Sequence, residues 1–161
     1  MRPARRPLQT TLAWLALGLL TWSARADTLL VPETFATIQD AVDAAAPGDE
    51  ICVRGSSYTE SVVISGASDV AVLARGVVRV TNDDAEPAFL LDGCTGVTVR
   101  GFRVHDLSAD GLRVSGGSGN TVARCRIEDV SGHGVLVTGS AAVQIQRCRI
   151  DRPGADGVAL R

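Results

Sequence analysis

The chain has 161 residues, 45% hydrophobic, 21% charged and 4% aromatic, with 16 basic residues against 18 acidic ones. This length supports a single domain with a real core. Every basic residue is an arginine and the balance is mildly acidic, which speaks against nucleic acid as a partner and leaves no aromatic platform for stacking bases or sugars.

Arg2, Arg5 and Arg6 precede an apolar run from Leu12 to Leu20, and Ala24-Arg25-Ala26 then supplies a small-x-small cleavage pattern. Residues 1–26 read as a secretory signal peptide, because the apolar run falls short of the about 20 residues a membrane span needs. The expected mature chain, residues 27–161, is secreted, periplasmic or on the cell surface and keeps no stable membrane span. It carries 12 arginines against 18 acidic residues.

The one helical stretch is expected at about residues 37–46. Thr37 can cap it, with Asp40 at the acidic position of a capping box. Ile38, Ala41, Val42 and Ala45 form its apolar stripe, and Pro47-Gly48-Asp49 ends it. Beyond it, apolar residues come in short bursts: Ile51–Val53, Val62–Ile64, Val70–Leu73, Val77–Val80, Phe89–Leu91, Val97–Val99, Phe102–Val104 and Leu112–Val114. Gly, Ser, Asp or Asn separates most of them. The acidic stretch with Asp83, Asp84 and Glu86, from Thr81 to Pro87, is expected to interrupt the rhythm as an insertion.

From about residue 90 the sequence repeats at a period of 23: Gly111, Gly134 and Gly157; Val99, Val122 and Ile145; Phe102, Cys125 and Cys148; Val104, Ile127 and Ile150. Units this short cannot bury their own apolar side, so a fixed period implies stacking. Alternation assigns the inside to Val97, Val99, Phe102 and Val104 and the outside to Thr98, Arg100, Arg103 and His105. The expected fold is an all-β solenoid of parallel strands, three to a coil. In it the glycine column Gly111, Gly134 and Gly157 eases a tight turn into the third strand. The helix caps the start. The strand Val158–Leu160 runs straight to Arg161 with no polar cap, so the sequence reads as a truncated product or the beginning of a longer coil, prone to end-to-end self-association. Cys52, Cys94, Cys125 and Cys148 match no close-set metal pattern. Cys125 and Cys148 hold equivalent core positions and are expected to stack as thiols rather than bridge.

Residues Phe35-Ala36-Thr37-Ile38-Gln39-Asp40-Ala41-Val42-Asp43-Ala44-Ala45-Ala46-Pro47-Gly48-Asp49, then Ile51-Cys52-Val53 and Ser57-Tyr58-Thr59-Glu60-Ser61-Val62-Val63-Ile64, resemble the opening segment of right-handed parallel β-helix proteins of the pectin-lyase-like superfamily. The second part is similar to a G-x-Y-x-E-x-V-x-I turn and strand, with Ser56 or Ser57 where the turn usually has glycine. Within the superfamily the segment is most similar to pectin methylesterases. The resemblance implies a right-handed β-helix and an association with carbohydrate. It implies no activity, since none of the catalytic aspartate, arginine or calcium motifs of the pectin methylesterases, polygalacturonases or pectate lyases has a match in this chain.

The period turns polar residues into columns on the outside. Arg103, Arg126 and Arg149 share one position, and Arg124 and Arg147 share another at a bend; together they form an arginine strip suited to an acidic polysaccharide. His105, Glu128 and Asp151 run beside the first column and offer it ordinary surface ion pairs. Asp110, His133 and Asp156 form a polar column at the turn before the third strand. With His105 it could supply acid–base chemistry or hold a metal, although calcium, the one candidate cofactor, prefers all-oxygen shells. Two classes of function stay open: an exported domain that binds or modifies polysaccharide, including a fragment of a lyase, esterase or epimerase, and a purely structural or adhesive coil.

Overall fold

The computed structural model describes residues 26–55 and 57–161, so the signal-peptide reading of the first residues, and Ser56, lie outside the described residues. The chain winds through six coils. The first contributes β1 (Thr28–Val31) and the helix α1 (Ile38–Ala44). The second holds β2 (Glu50–Val53), β3 (Ser57–Thr59) and β4 (Val62–Ser65). The third holds β5 (Ala71–Ala74), β6 (Arg79–Thr81) and β7 (Phe89–Asp92). The fourth holds β8 (Thr98–Arg100), β9 (Arg103–Leu107) and β10 (Leu112–Ser115). The fifth holds β11 (Thr121–Ala123), β12 (Arg126–Val130) and β13 (Val135–Thr138). The sixth holds β14 (Gln144–Gln146), β15 (Arg149–Pro153) and β16 (Val158–Leu160).

All strand pairs are parallel and join each strand to its equivalent one coil away. They build three sheets, β1-β2-β5-β8-β11-β14, β3-β6-β9-β12-β15 and β4-β7-β10-β13-β16. The register reproduces the sequence period, pairing Val135 with Leu112 and Val158, Val122 with Val99 and Ile145, and Ile127 with Val104 and Ile150. Inward residues fill one continuous core in which Val72, Val99, Val122, Val104, Ile127, Leu112 and Val135 are fully buried. Phe89 and Phe102 meet in it with ring centroids 4.8 Å apart. Each such side chain adds about 1.5–3 kcal/mol of burial, which is how strands of three to five residues hold together. In the sixth coil Val143, Ile145, Cys148 and Ile150 are half-buried.

The structure refines two expectations about spacing. The acidic stretch is an insertion of a single residue: Val80 and Phe89 occupy the positions of Val104 and Leu112, so this turn is one residue longer than its equivalent in the next coil. The shorter version belongs to the second coil, where only Glu60 and Ser61 join β3 to β4. The glycine column also has a different reason. Gly111 and Gly134 are absent from the positive-φ residues; what they lack is room. A Cβ on Gly111 would stand 2.5 Å from the Gly134 carbonyl oxygen and 2.6 Å from Ile127 Cγ2, and one on Gly134 would stand 2.5 Å from both the Gly157 oxygen and Ile150 Cγ2. The left-handed corners lie elsewhere in each coil, at Gly101, Arg124 and Arg147 and at Gly93, Gly116 and Gly139.

The opening motif is a cap, and its residues have separate tasks. Thr37 Oγ1 accepts the Asp40 N–H at 3.0 Å, as a helix N-cap should. The other free N–H groups of the first turn go to the next coil: Ile38 donates to Glu60 Oε1 at 3.1 Å and Gln39 to Glu60 Oε2 at 3.0 Å. Gln39 then uses its side-chain amide as a one-residue strand, accepting the Val63 N–H at 2.7 Å and donating to the Val63 carbonyl at 3.1 Å. That occupies the outer edge of β4, where an unpaired strand would invite aggregation. The Tyr58 hydroxyl donates to the Arg54 carbonyl and closes the turn before β3.

Candidate functional site

The coil places the two arginine sets on different faces, and their surroundings differ. Arg103, Arg126 and Arg149 stack in register on the second sheet, beside a column of His105, Glu128 and Asp151. Arg126 Nη2 lies 2.5 Å from Glu128 and 3.9 Å from Asp151, and Arg149 Nε lies 2.6 Å from Asp151. Beyond them Arg152 holds Asp129 with two bonds of 2.5 and 2.6 Å. These contacts set the ionisation: hydrogen bonds from Arg149 and Arg152 hold Asp151 and Asp129 below the usual carboxylate range. Most of this column is therefore neutralised at home. His105 turns aside to Asp106, with Nδ1 2.7 Å from Oδ2.

The polar column at the third turn is a ladder of side-chain-to-backbone bonds. Asp110 Oδ1 accepts the His133 N–H at 2.7 Å, and His133 Nδ1 accepts the Asp156 N–H at 3.1 Å. Asp110, only 6% exposed, also takes Arg113 through Nε and Nη2 at 3.1 and 2.8 Å. Asp110 and His133 thus each close the turn of the next coil. Among the described residues no group of three or more His, Cys, Asp or Glu side chains converges as a metal site. In the acidic loop Asn82 Nδ2 bonds the Glu86 carbonyl at 2.8 Å and Ser108 Oγ bonds the Asp84 carbonyl at 3.1 Å, so backbone contacts shape it.

The four thiols are free. Cys125 and Cys148 stack one coil apart, linked by the Arg149 N–H to Cys125 carbonyl bond of 2.9 Å; the Cys125 thiol donates to the Ala123 carbonyl at 3.4 Å and the Cys148 thiol to the Val122 carbonyl at 3.5 Å. Each thiol shifts the other, bringing Cys148 down to about 6 and pushing the buried Cys125 up. Cys52 lies on the outer face, where its thiol donates to Glu50 at 3.0 Å and Glu50 takes Arg75 at 2.5 Å. Burial pushes that thiol up as well.

Arg100, Arg124 and Arg147 behave differently. Arg124 and Arg147 stand at the corner between the first and second sheets, stacked through the Arg124 N–H to Gln146 carbonyl bond of 2.8 Å. Both have left-handed backbones, φ 53° and 54°, at a position where the coil before them has Gly101. A side chain there costs about 1–2 kcal/mol relative to glycine. Arg100, at the end of β8, completes the set. Arg100, Arg124 and Arg147 line a shallow groove of about 270 Å³ with Thr98, Thr121, Ala123 and Gln146. A second hollow, with Arg75, Gly76 and Gly101, continues it past Arg100 and Arg124. All three of Arg100, Arg124 and Arg147 are exposed, and none makes an ion pair among the described residues. No Asp or Glu lines either part of the groove. Two like charges about 5 Å apart repel by about 1 kcal/mol in water and about 3 kcal/mol at a partly desolvated surface, so the groove is poised for an anion.

Sequence reasoning placed Arg124 and Arg147 together but passed over Arg100, which aligns with Ala123 and Gln146 rather than with another arginine. The available signal was charge bookkeeping along each strand: Arg126 and Arg149 have an acid two residues on, whereas Arg100, Arg124 and Arg147 have none there.

A parallel three-sheet coil with one basic and one charge-balanced face defines a β-solenoid protein. The family model described as right handed beta helix region matches residues 87–161, and the strand pairing carries the same parallel coil back to Thr28, which together support a right-handed parallel β-helix. No curated protein and no solved structure matches it.

Proposed function

We propose that the chain is an exported β-helix domain that binds an acidic polysaccharide along the groove of Arg100, Arg124 and Arg147. The observation that carries this reading is the contrast between the two arginine sets: one is largely paired with Glu128 and Asp151, the other has no acidic partner among the described residues. A guanidinium offers a carboxylate two parallel N–H donors, and a polyuronate presents carboxylates in a row. Thr98, Thr121 and Gln146 add hydroxyl and amide groups that suit sugar hydroxyls. The groove follows the coil axis, with successive rungs about 4.8 Å apart, so it suits an extended polymer better than a compact ligand. Binding is favoured over turnover because sugar cleavage typically needs two carboxyl groups across the bond. No carboxylate lines the groove. The resemblance of the opening segment to pectin methylesterases supports a uronic-acid polymer as the ligand class.

Calorimetric titration of the exported chain with polygalacturonate tests this. Arg124→Ala with Arg147→Ala should weaken binding at least about tenfold, the loss of about 1.4 kcal/mol from two charge-assisted contacts. Arg126→Ala with Arg149→Ala should leave binding near that of the parent. Unchanged heats in the first pair reject the groove and leave the structural or adhesive reading.

A further inference from the structure

We propose that the Ala26–Asp27 peptide bond is a processing site, and that the α-ammonium released there takes Asp49 as its counter-ion and locks the first coil of the mature chain. The inference rests on the export reading of residues 1–26 and is independent of the arginine groove.

Asp49 is 5% exposed. Its two oxygens each accept one backbone N–H, Oδ1 from Asp27 at 2.8 Å and Oδ2 from Ala46 at 2.8 Å. The carboxylate is therefore the junction between the start of the first strand and the end of the helical cap. Asp27 is fixed on its other side, where its carbonyl accepts the Glu50 N–H at 2.9 Å. Among the described residues no arginine or histidine pairs with Asp49. A buried carboxylate with only amide donors is under-compensated, and a cation at hydrogen-bond distance is what such a group needs.

Hydrolysis supplies that cation. A signal-peptidase-type enzyme adds water across the Ala26–Asp27 amide, the C–N bond breaks, Ala26 keeps the new carboxylate, and the Asp27 nitrogen leaves as an amine that is protonated. The nitrogen that gains the charge is the one already 2.8 Å from Asp49 Oδ1, so the ion pair forms where a neutral hydrogen bond stood. Two unrelated observations select the same bond: Ala24-Arg25-Ala26 ends the small-x-small cleavage pattern, and the buried carboxylate faces the very next nitrogen. Cleavage one residue either side would put the ammonium on a different atom.

The absence of lysine makes the experiment clean, because the α-amine is then the only primary amine of the mature chain. The full chain is expressed in a host that exports it, and the intact mass of the product is measured. The expected product begins at Asp27; one beginning elsewhere, or retaining residues 1–26, overturns the processing site. The exported product is then treated with an amine-reactive succinimidyl ester. The parent should label at least about tenfold more slowly folded than in denaturant, and Asp49→Asn should remove that protection. A product that begins at Asp27 and labels equally fast in parent and variant overturns the ion pair while leaving the cleavage site standing. If Asp49→Asn does not fold, the parent acetylated at this one amine replaces it. Its Tm should fall by about 5 °C or more, and an unchanged Tm overturns the pair.

Discussion

Gly134 and Gly157 are equivalent in the repeat, yet alanine should have opposite consequences at the two positions. At Gly134 the new methyl would lie 2.5 Å from the Gly157 carbonyl oxygen, 2.5 Å from Ile150 Cγ2 and 3.0 Å from Ile150 Cδ1. Ordinary contact begins at about 3.4 Å, so the fifth and sixth coils must separate locally by most of an ångström or Ile150 must leave its rotamer; overpacking of this kind costs about 1–3 kcal/mol. At Gly157 nothing lies within 4 Å of the added methyl and the backbone is not left-handed. There alanine only restricts the unfolded chain, a gain of about 0.4–1 kcal/mol. For a domain of this size 1 kcal/mol is worth about 3–4 °C in Tm. Gly134→Ala should therefore melt about 4–10 °C below the parent and Gly157→Ala level with it or slightly above, by calorimetry on the purified chain. Equal losses at both positions would mean instead that turn conformation, not close approach between coils, selects glycine there.

Other consequences follow from the same contacts. Glu60→Ala removes the acceptor for the Ile38 and Gln39 N–H groups; loss of a cap of this kind costs about 1–2 kcal/mol, and those two amides should exchange with deuterium faster while core amides of the later coils keep their protection. Cys148, brought down by its contact with Cys125, should be the first of the four thiols alkylated by iodoacetamide at neutral pH, with the buried Cys94 and Cys125 last, read by peptide mass. Asp129 and Asp151 titrate below the usual carboxylate range, so the stability they contribute is present above about pH 4, the unfolded value, and is lost as pH falls through their lowered native values. Replacing Arg149 and Arg152 with alanine should flatten the fall in Tm across that acid range. Because these pairs are exposed, the curves should converge in high salt.

The coil was legible in the sequence because a β-helix translates equivalent residues by one rung. Val99, Val122 and Ile145 recur at the period, and the register pairs them. The helix was legible from Thr37 and its apolar stripe; its partner Glu60 was not, because that contact joins different coils. The glycine column showed how sequence can give the right position for the wrong cause: a turn and a close approach both select glycine, and only the Gly134–Gly157 distance separates them. The acidic loop breaks the rhythm by a single residue, and the shorter turn of the second coil exaggerates the contrast. For the site, columns of identical residues drew attention to Arg126 and Arg149. The repeat says where a side chain stands but not whether a carboxylate already occupies it. Arg100 has no arginine above or below it in the repeat, and its nearness to Arg124 arises from the corner between two sheets.

The most direct test of the account is to titrate the isotope-labelled chain with a short oligogalacturonide and follow the backbone amide shifts. The account predicts that the largest changes fall on Thr98, Arg100, Thr121, Arg124 and Gln146 along the first-sheet groove, with Arg126, Glu128 and Asp151 little moved. Shifts concentrated on the second-sheet column instead, or no shifts at saturating oligosaccharide, would contradict it.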